Sequence, residues 1–128
     1  MLPYRRLVVW QRSYALAGAV LDLTEVGSLS KRYWLKDQLE RAASSIHANI
    51  AEGNGRSTPL DYAAFLDRAR ASAFETDAWL LTAADRQLID RGVQLGLASE
   101  IDEISAILFA MIRTIRAKHT LDSRDHQR

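Results

Sequence analysis

Apolar residues recur at every third or fourth position along almost the whole chain, and this spacing constrains the fold more than any other feature. Such spacing places the apolar residues on one face of an α-helix, whereas a half-buried strand alternates with a period of two. Almost no stretch of the sequence alternates in that way. The pattern therefore predicts an all-α fold.

Turn and capping residues divide this pattern into four segments. The predicted helices cover about residues 4–23, 30–52, 58–89 and 97–118. The start of the third is marked best, because Thr58 can cap it, Pro59 suits the first helical position and Asp61 is an acid in the first turn. Gly53 or Gly55 is predicted to supply the left-handed residue that ends the second helix.

Short connections between long helices favour antiparallel neighbours, so we expect an antiparallel, up-down-up-down four-helix bundle. The 128 residues suffice for a single domain with its own core. We expect the bundle to fill residues 1–120 and the polar, aperiodic residues 121–128 to be a disordered tail. No apolar run approaches the length of a membrane span or a signal peptide, which favours a cytoplasmic protein with no membrane contact.

The first and third predicted helices each carry more than one apolar stripe. On the first, a stripe through Trp10 and Tyr14 lies almost opposite a second stripe through Leu16 and Val20. A bundle helix in a monomer needs one apolar face, so a second face predicts burial against another copy of the chain. Scattered apolar residues on a monomer surface are the alternative. The candidate interface residues are Val9, Leu16, Val20, Leu23, Trp34, Phe74 and Leu81.

A row of polar side chains runs beside the apolar stripe of the second helix, and a comparable row lies on the third. We call these residues the polar seam: Gln38, Arg41, Ser45, Asn49, Glu52, Arg56, Ser72 and Glu75. If the rows meet, they form a partly buried hydrogen-bond network with Asn49 and Glu52 as hubs, which would fix the register of the helices. A solvated polar margin is an equally weighted alternative.

Residue types that carry most enzyme chemistry are scarce. The chain has no cysteine and three histidines, and none of the histidines lies in the Glu-x-x-His pair of di-iron bundles. The loop from Gly53 to Thr58 lacks the lysine and spacing of a phosphate-binding loop. We therefore expect no enzyme activity, no cofactor and no metal, with a carboxylate pair of Glu52 and Glu75 as the weakest alternative.

The formal net charge of +1 hides a separation of charge along the chain. Residues 1–36 hold six basic and two acidic side chains, a net +4, whereas residues 37–90 hold five and nine, a net −4. Repeated in an assembly, the basic segment could bind phosphates by multivalency, although a solvated charged face is the alternative. The candidate nucleic-acid contacts are Arg5, Arg6, Arg12, Lys31, Arg32 and Lys36.

The segment from Gln38 to Ser57 resembles the signature of the bacterial four-helix-bundle proteins named after the 23S rRNA intervening sequence, the S23 family. The segments Leu7–Gln11 and Ala71–Glu75, with Tyr62 between them, resemble further blocks of that family, so the resemblance covers about residues 4–90. It implies a homopentamer without enzymatic activity. The family includes the accessory variability determinant of diversity-generating retroelements, which implies nucleic acid and a reverse transcriptase as partners.

Together these observations predict a homo-oligomeric scaffold, pentameric by resemblance, that binds RNA, DNA or a protein partner. The alternative is a structural or regulatory protein-interaction module without nucleic-acid contact.

Overall fold

A computed structural model describes residues 1–126. Over this range the chain forms four α-helices and two short 3₁₀-helices, and it contains no strand. The α-helices are α1 (Val8–Thr24), α2 (Tyr33–Asn54), α3 (Pro59–Asp85) and α4 (Arg91–His126). The 3₁₀-helices, Pro3–Arg6 and Ser28–Lys31, precede α1 and α2. The predicted all-α fold is confirmed.

The four α-helices pack into a bundle around one apolar core. α2 packs against both α1 and α3, and α4 packs against α3 and less extensively against α1. Short connections make consecutive helices antiparallel, as in an up-down-up-down bundle. Leu16, Ile46, Leu66 and Leu108 are fully or almost fully buried, one from each helix. None of the helices in the described part of the chain is long and apolar enough to cross a membrane.

The aliphatic stripe of α1, predicted as a contact between subunits, lies in the core of the bundle. Val9, Leu16 and Val20 are at most 3% exposed and belong to the core, and Leu23 is packed against it. Tyr14, on the other stripe, is 57% exposed. The prediction of Val9, Leu16 and Val20 as subunit contacts is wrong, because helical spacing separates two stripes without showing which one faces the core. Leu23 is partly buried and stays a candidate contact.

The start of α3 agrees with the prediction, and the end of α2 does not. The Asp61 amide donates a 3.2 Å hydrogen bond to Thr58 Oγ1, so Thr58 caps the helix as expected. Gly55 follows α2 with a helical φ of −83°, and Gly53 lies inside the helix. The glycines therefore supply no left-handed cap.

Gly53 instead permits a close approach of α2 to α3. A Cβ atom at this position would lie 2.7 Å from Phe65 Cβ and 3.1 Å from Tyr62 Cδ1, both on α3. The first distance is shorter than non-bonded carbon atoms tolerate. The absence of a side chain at Gly53 thus sets how closely the two helices pack.

The fourth helix is longer than predicted, since it begins at Arg91 and continues to His126. Its 36 residues span roughly 54 Å. Residues 121–126, predicted as part of a disordered tail, are helical in the structure. Residues 127 and 128 belong to the same prediction and lie outside the described residues.

Candidate interaction surfaces

The outer side of α3 and α4 carries two half-exposed phenylalanine rings joined by an arginine. Phe74 is 52% exposed and Phe109 is 46% exposed. The Arg70 Cζ atom lies 4.7 Å from the Phe74 ring centroid and 5.1 Å from the Phe109 centroid. Arg113 continues the row, with its Cζ 5.8 Å from the Phe109 centroid. We call Arg70, Phe74, Phe109 and Arg113 the α3/α4 surface.

Further apolar side chains extend this region along both helices. Leu81 on α3 is 45% exposed and Leu95 on α4 is 59% exposed. A shallow cleft of about 290 Å³ beside Phe74 is lined in part by the carboxylates of Asp77 and Asp102. The interface candidates Phe74 and Leu81 are thus accessible on the monomer.

A second exposed apolar region surrounds the start of α2. Trp34 is 58% exposed and meets the Trp79 ring of α3 edge-to-face, with centroids 6.0 Å apart. Tyr33 and Val26 are also exposed. We call Val26, Tyr33 and Trp34 the hairpin surface, because they lie at the turn between α1 and α2.

An aromatic cluster lies on the outer side of α1 and α2. The Trp10 and Tyr14 rings are stacked, with centroids 4.9 Å apart. The His47 ring lies edge-on to both, and its centroid is 5.2 Å from that of Tyr14. Tyr4 packs edge-on against Trp10 at 5.0 Å. Burial lowers the pKa of His47, so the imidazole is neutral at neutral pH.

Sequence reasoning did not find this cluster. It depends on the register in which α1 meets α2, which brings His47 beside residues that lie far away in the sequence. The stripe of Trp10 and Tyr14 on α1 is visible in the sequence, but its spacing does not show that Tyr14 lies away from the core.

The centre of the polar seam joins α2 to α3 through one contact. The hydroxyl groups of Ser45 and Ser72 are hydrogen-bonded to each other, and both residues are half-buried. Asn49 Nδ2 donates to the carbonyl oxygen of Ser45 at 2.7 Å, within its own helix. Glu52 pairs with Arg56 at 3.2 Å near the end of α2. Within the described residues, Asn49 and Glu52 make these local contacts and do not act as hubs between helices.

The remaining members of the polar seam lie towards solvent. Gln38 is half-buried, whereas Arg41 and Glu75 are exposed. Arg41 pairs with Asp37 on the same helix at 3.0 Å. The seam is therefore a solvated margin with one interhelical hydrogen bond at its middle.

Two of the six predicted nucleic-acid contacts are engaged in ion pairs. Arg12 binds both carboxylate oxygens of Glu100 on α4, at 2.7 and 2.8 Å, and also contacts Glu103. This bidentate hydrogen bonding lowers the pKa of Glu100 and raises the pKa of Arg12. Lys36 lies 3.6 Å from Glu25.

The other four basic residues form two separate pairs. Arg5 and Arg6 precede α1, and Lys31 and Arg32 follow it; all four are exposed. The 17 residues of α1 span roughly 25 Å between them. One chain therefore does not gather the six predicted residues into a single patch.

The structure brings together no group of three or more metal-ligating side chains among residues 1–126. Glu52, a member of the weak carboxylate-pair alternative, is paired with Arg56 as described above.

A family model described as 23S rRNA-intervening sequence protein matches residues 5–110. A crystal structure of a protein with unknown function from the S23 ribosomal protein family of Bacteroides thetaiotaomicron VPI-5482 is similar, with a TM-score of 0.75 and 25% sequence identity. The match covers 82% of this chain and 98% of that one. No curated protein matches the sequence.

Proposed function

The chain belongs to the family of 23S rRNA-intervening sequence proteins, and from this premise we propose that it is a non-enzymatic, cytoplasmic scaffold that assembles with copies of itself and binds nucleic acid.

The observation that carries the assembly is the α3/α4 surface. Two phenylalanine rings stay about half exposed there, and the arginine side chains that cover them are themselves stacked on their faces. Aromatic residues and arginine are enriched at the centres of protein interfaces, and truncating them there costs the most binding energy. Single apolar residues scattered over a monomer surface would not need to be clustered with arginines in this way.

The presence of two different apolar regions favours a ring over a two-fold dimer. A two-fold dimer uses one surface twice, whereas a head-to-tail contact joins two different surfaces and closes into a ring when the rotation allows it. The α3/α4 surface and the hairpin surface, with Trp34 at its centre, lie on different helices and do not overlap. Five subunits is the number that the resemblance to the S23 family implies.

Assembly also bears on nucleic-acid binding. The pairs Arg5–Arg6 and Lys31–Arg32 are exposed, and on one chain each pair would make only weak phosphate contacts. Repeated around a ring, they would form a positive band in which several weak contacts act together.

Light scattering of the purified protein tests the assembly. A pentamer of the 14.4 kDa chain has a mass of about five times that value, about 72 kDa. We expect Phe74→Glu to lower the mass, because it places a charge in the apolar contact. Leu60→Glu is the matched control, since Leu60 is a 49% exposed apolar residue of α3 outside both surfaces. A wild-type mass near 14.4 kDa at micromolar concentration would contradict the proposal.

A further inference from the structure

The aromatic cluster on α1 and α2 borders an open cavity of about 620 Å³. We define the aromatic cavity by its lining residues: Tyr4, Arg5, Trp10, Tyr14, His47, Ala48 and Ala51. We propose that this cavity binds a base of single-stranded nucleic acid, while Arg5 and Arg6 hold the adjacent phosphates. The proposal deepens the nucleic-acid part of the proposed function and does not depend on the number of subunits.

The Tyr14 ring is held in place by the Trp10 and His47 rings. Tyr14 is stacked on Trp10 with an interplanar angle of 20°, and His47 meets Tyr14 at 77°. These contacts restrict the Tyr14 ring, yet the residue remains 57% exposed. A restrained and exposed ring is what a stacked base needs, because little side-chain entropy is lost when the base binds.

Small side chains keep the space beside the rings open. Ala48 and Ala51, one turn apart on α2, line the same cavity. Its volume lies within the roughly 300–1,000 Å³ of small-molecule sites. A planar base can therefore approach the rings without displacing a larger side chain.

The charge around the cavity favours an anionic ligand. No acidic residue lines it, whereas Arg5 does. Arg5 and Arg6 are exposed; Arg5 Nε donates to Tyr4 Oη at 3.4 Å, and neither arginine forms an ion pair within the described part of the chain. Arg12, by contrast, is held by Glu100. The two arginines at the start of α1 are thus available for phosphates.

A second cleft that contains cationic side chains lacks this combination. The cleft of about 430 Å³ between the start of α3 and the end of α4 contains Lys118 and Arg56, but it also contains Asp122, and Arg56 is paired with Glu52. Aromatic ring faces beside unpaired cations are the usual means of binding single-stranded nucleic acid. The aromatic cavity meets that description and the other cleft does not.

Fluorescence anisotropy with a labelled short oligouridine and a labelled RNA duplex of the same length tests the stacking. We expect the single strand to bind more tightly than the duplex, because paired bases are not free to stack on the protein. Tyr14→Ala should weaken single-strand binding about tenfold, and Tyr14→Phe should bind nearly as well as the wild type. Equal affinity for both probes, or wild-type binding by Tyr14→Ala, would overturn the proposal.

A pair of double variants with the same change in charge tests the phosphate contacts. We expect Arg5→Gln/Arg6→Gln to reduce the dependence of log affinity on log salt by about 1.4, the value for two lost contacts to a single strand. Arg86→Gln/Arg116→Gln, which changes two exposed arginines that do not line the aromatic cavity, should leave the affinity for the oligouridine much less affected. Equal losses in both variants would contradict a localised site.

Light scattering of Tyr14→Ala separates this proposal from the proposed assembly. We expect an unchanged mass. A lower mass would show that the aromatic cavity is a contact between subunits, which would overturn the binding site. If no oligonucleotide binds at low salt while the wild type remains oligomeric, the binding site fails and the assembly stands.

Discussion

Gly53 is the residue at which the sequence and the packing are most tightly linked, because α2 comes so close to α3 there that a methyl group would overlap Phe65. We predict that Gly53→Ala lowers the free energy of unfolding by about 1–3 kcal/mol, the usual cost of an added group in a packed interior. Urea denaturation measures this change.

Gly18→Ala is the matched control for this substitution. Gly18 is an exposed position inside α1, and a Cβ atom there would have no neighbour within 4 Å. The alanine should raise the free energy of unfolding by about 0.5–1 kcal/mol, since glycine is a poor helix former. A stabilising effect of Gly53→Ala would show that α2 and α3 are not in close contact at this point.

The ion pair of Arg12 and Glu100 gives stability a specific dependence on pH. The hydrogen bonds from Arg12 lower the pKa of Glu100 in the folded state below its ordinary value of 4.5. A carboxylate with a lowered pKa stabilises the fold above its unfolded pKa and loses that contribution as the pH falls through its folded pKa. We predict that Glu100→Gln lowers the melting temperature at pH 7 and that its difference from the wild type shrinks below about pH 4.5.

Thermal melts of both proteins between neutral and acid pH measure this difference. Glu75→Gln is the control, because Glu75 is an exposed carboxylate on α3. Its difference from the wild type should be small at every pH. A constant difference for Glu100→Gln across the acid range would contradict the role given to the Arg12 contact.

At the scale of the helices, the sequence was enough to predict the fold and the Thr58 cap. It was not enough to predict which face of α1 lies in the core. Periodicity identified both stripes of α1, yet the choice of Leu16 rather than Tyr14 for the core is made by α2 and α4, which pack against it. The exposure of Phe74 and Leu81 could be predicted from the sequence, because both residues lie apart from the broad core stripe of α3. The aromatic cavity was missed because it depends on the register between α1 and α2.

The end of α4 illustrates a second limit of the sequence. Residues 121–126 have no apolar period that would predict a helix, and they continue as a helix after the packed part of α4. A helix that is already formed extends at little cost, because each added residue gains a backbone hydrogen bond without a new nucleation step. The end of α4 predicted from the sequence, at about residue 118, is therefore too early.

The contact between Ser45 and Ser72 is the one place where the polar seam links α2 to α3 within residues 1–126. We predict that the two hydroxyl groups stabilise the fold jointly by about 0.5–1.5 kcal/mol, as a neutral hydrogen bond does. A double-mutant cycle of Ser45→Ala, Ser72→Ala and the double variant, followed by urea denaturation, measures this coupling. Additive effects of the two substitutions would show that the seam contributes nothing beyond a solvated margin.

At the scale of the whole molecule, the bundle leaves different kinds of surface on different sides. The α3/α4 surface combines two half-exposed phenylalanine rings with two arginines, and Asp77 and Asp102 lie at its border. The side formed by α1 and α2 carries the exposed cations Arg5 and Arg6 beside the aromatic cavity. This separation allows one surface to join subunits while another remains open for a ligand.

The assembly predicts that thermal stability depends on protein concentration. Association stabilises the folded chains by mass action, so the melting temperature of an oligomer rises with concentration, whereas that of a monomer does not change. We expect the wild-type melting temperature to rise when the concentration is increased about tenfold, and that of Phe74→Glu to stay constant. Leu60→Glu should behave like the wild type, because Leu60 lies outside the α3/α4 surface. A reversible wild-type melt whose midpoint is the same at both concentrations would show that the Phe74 and Phe109 rings face solvent in a stable monomer.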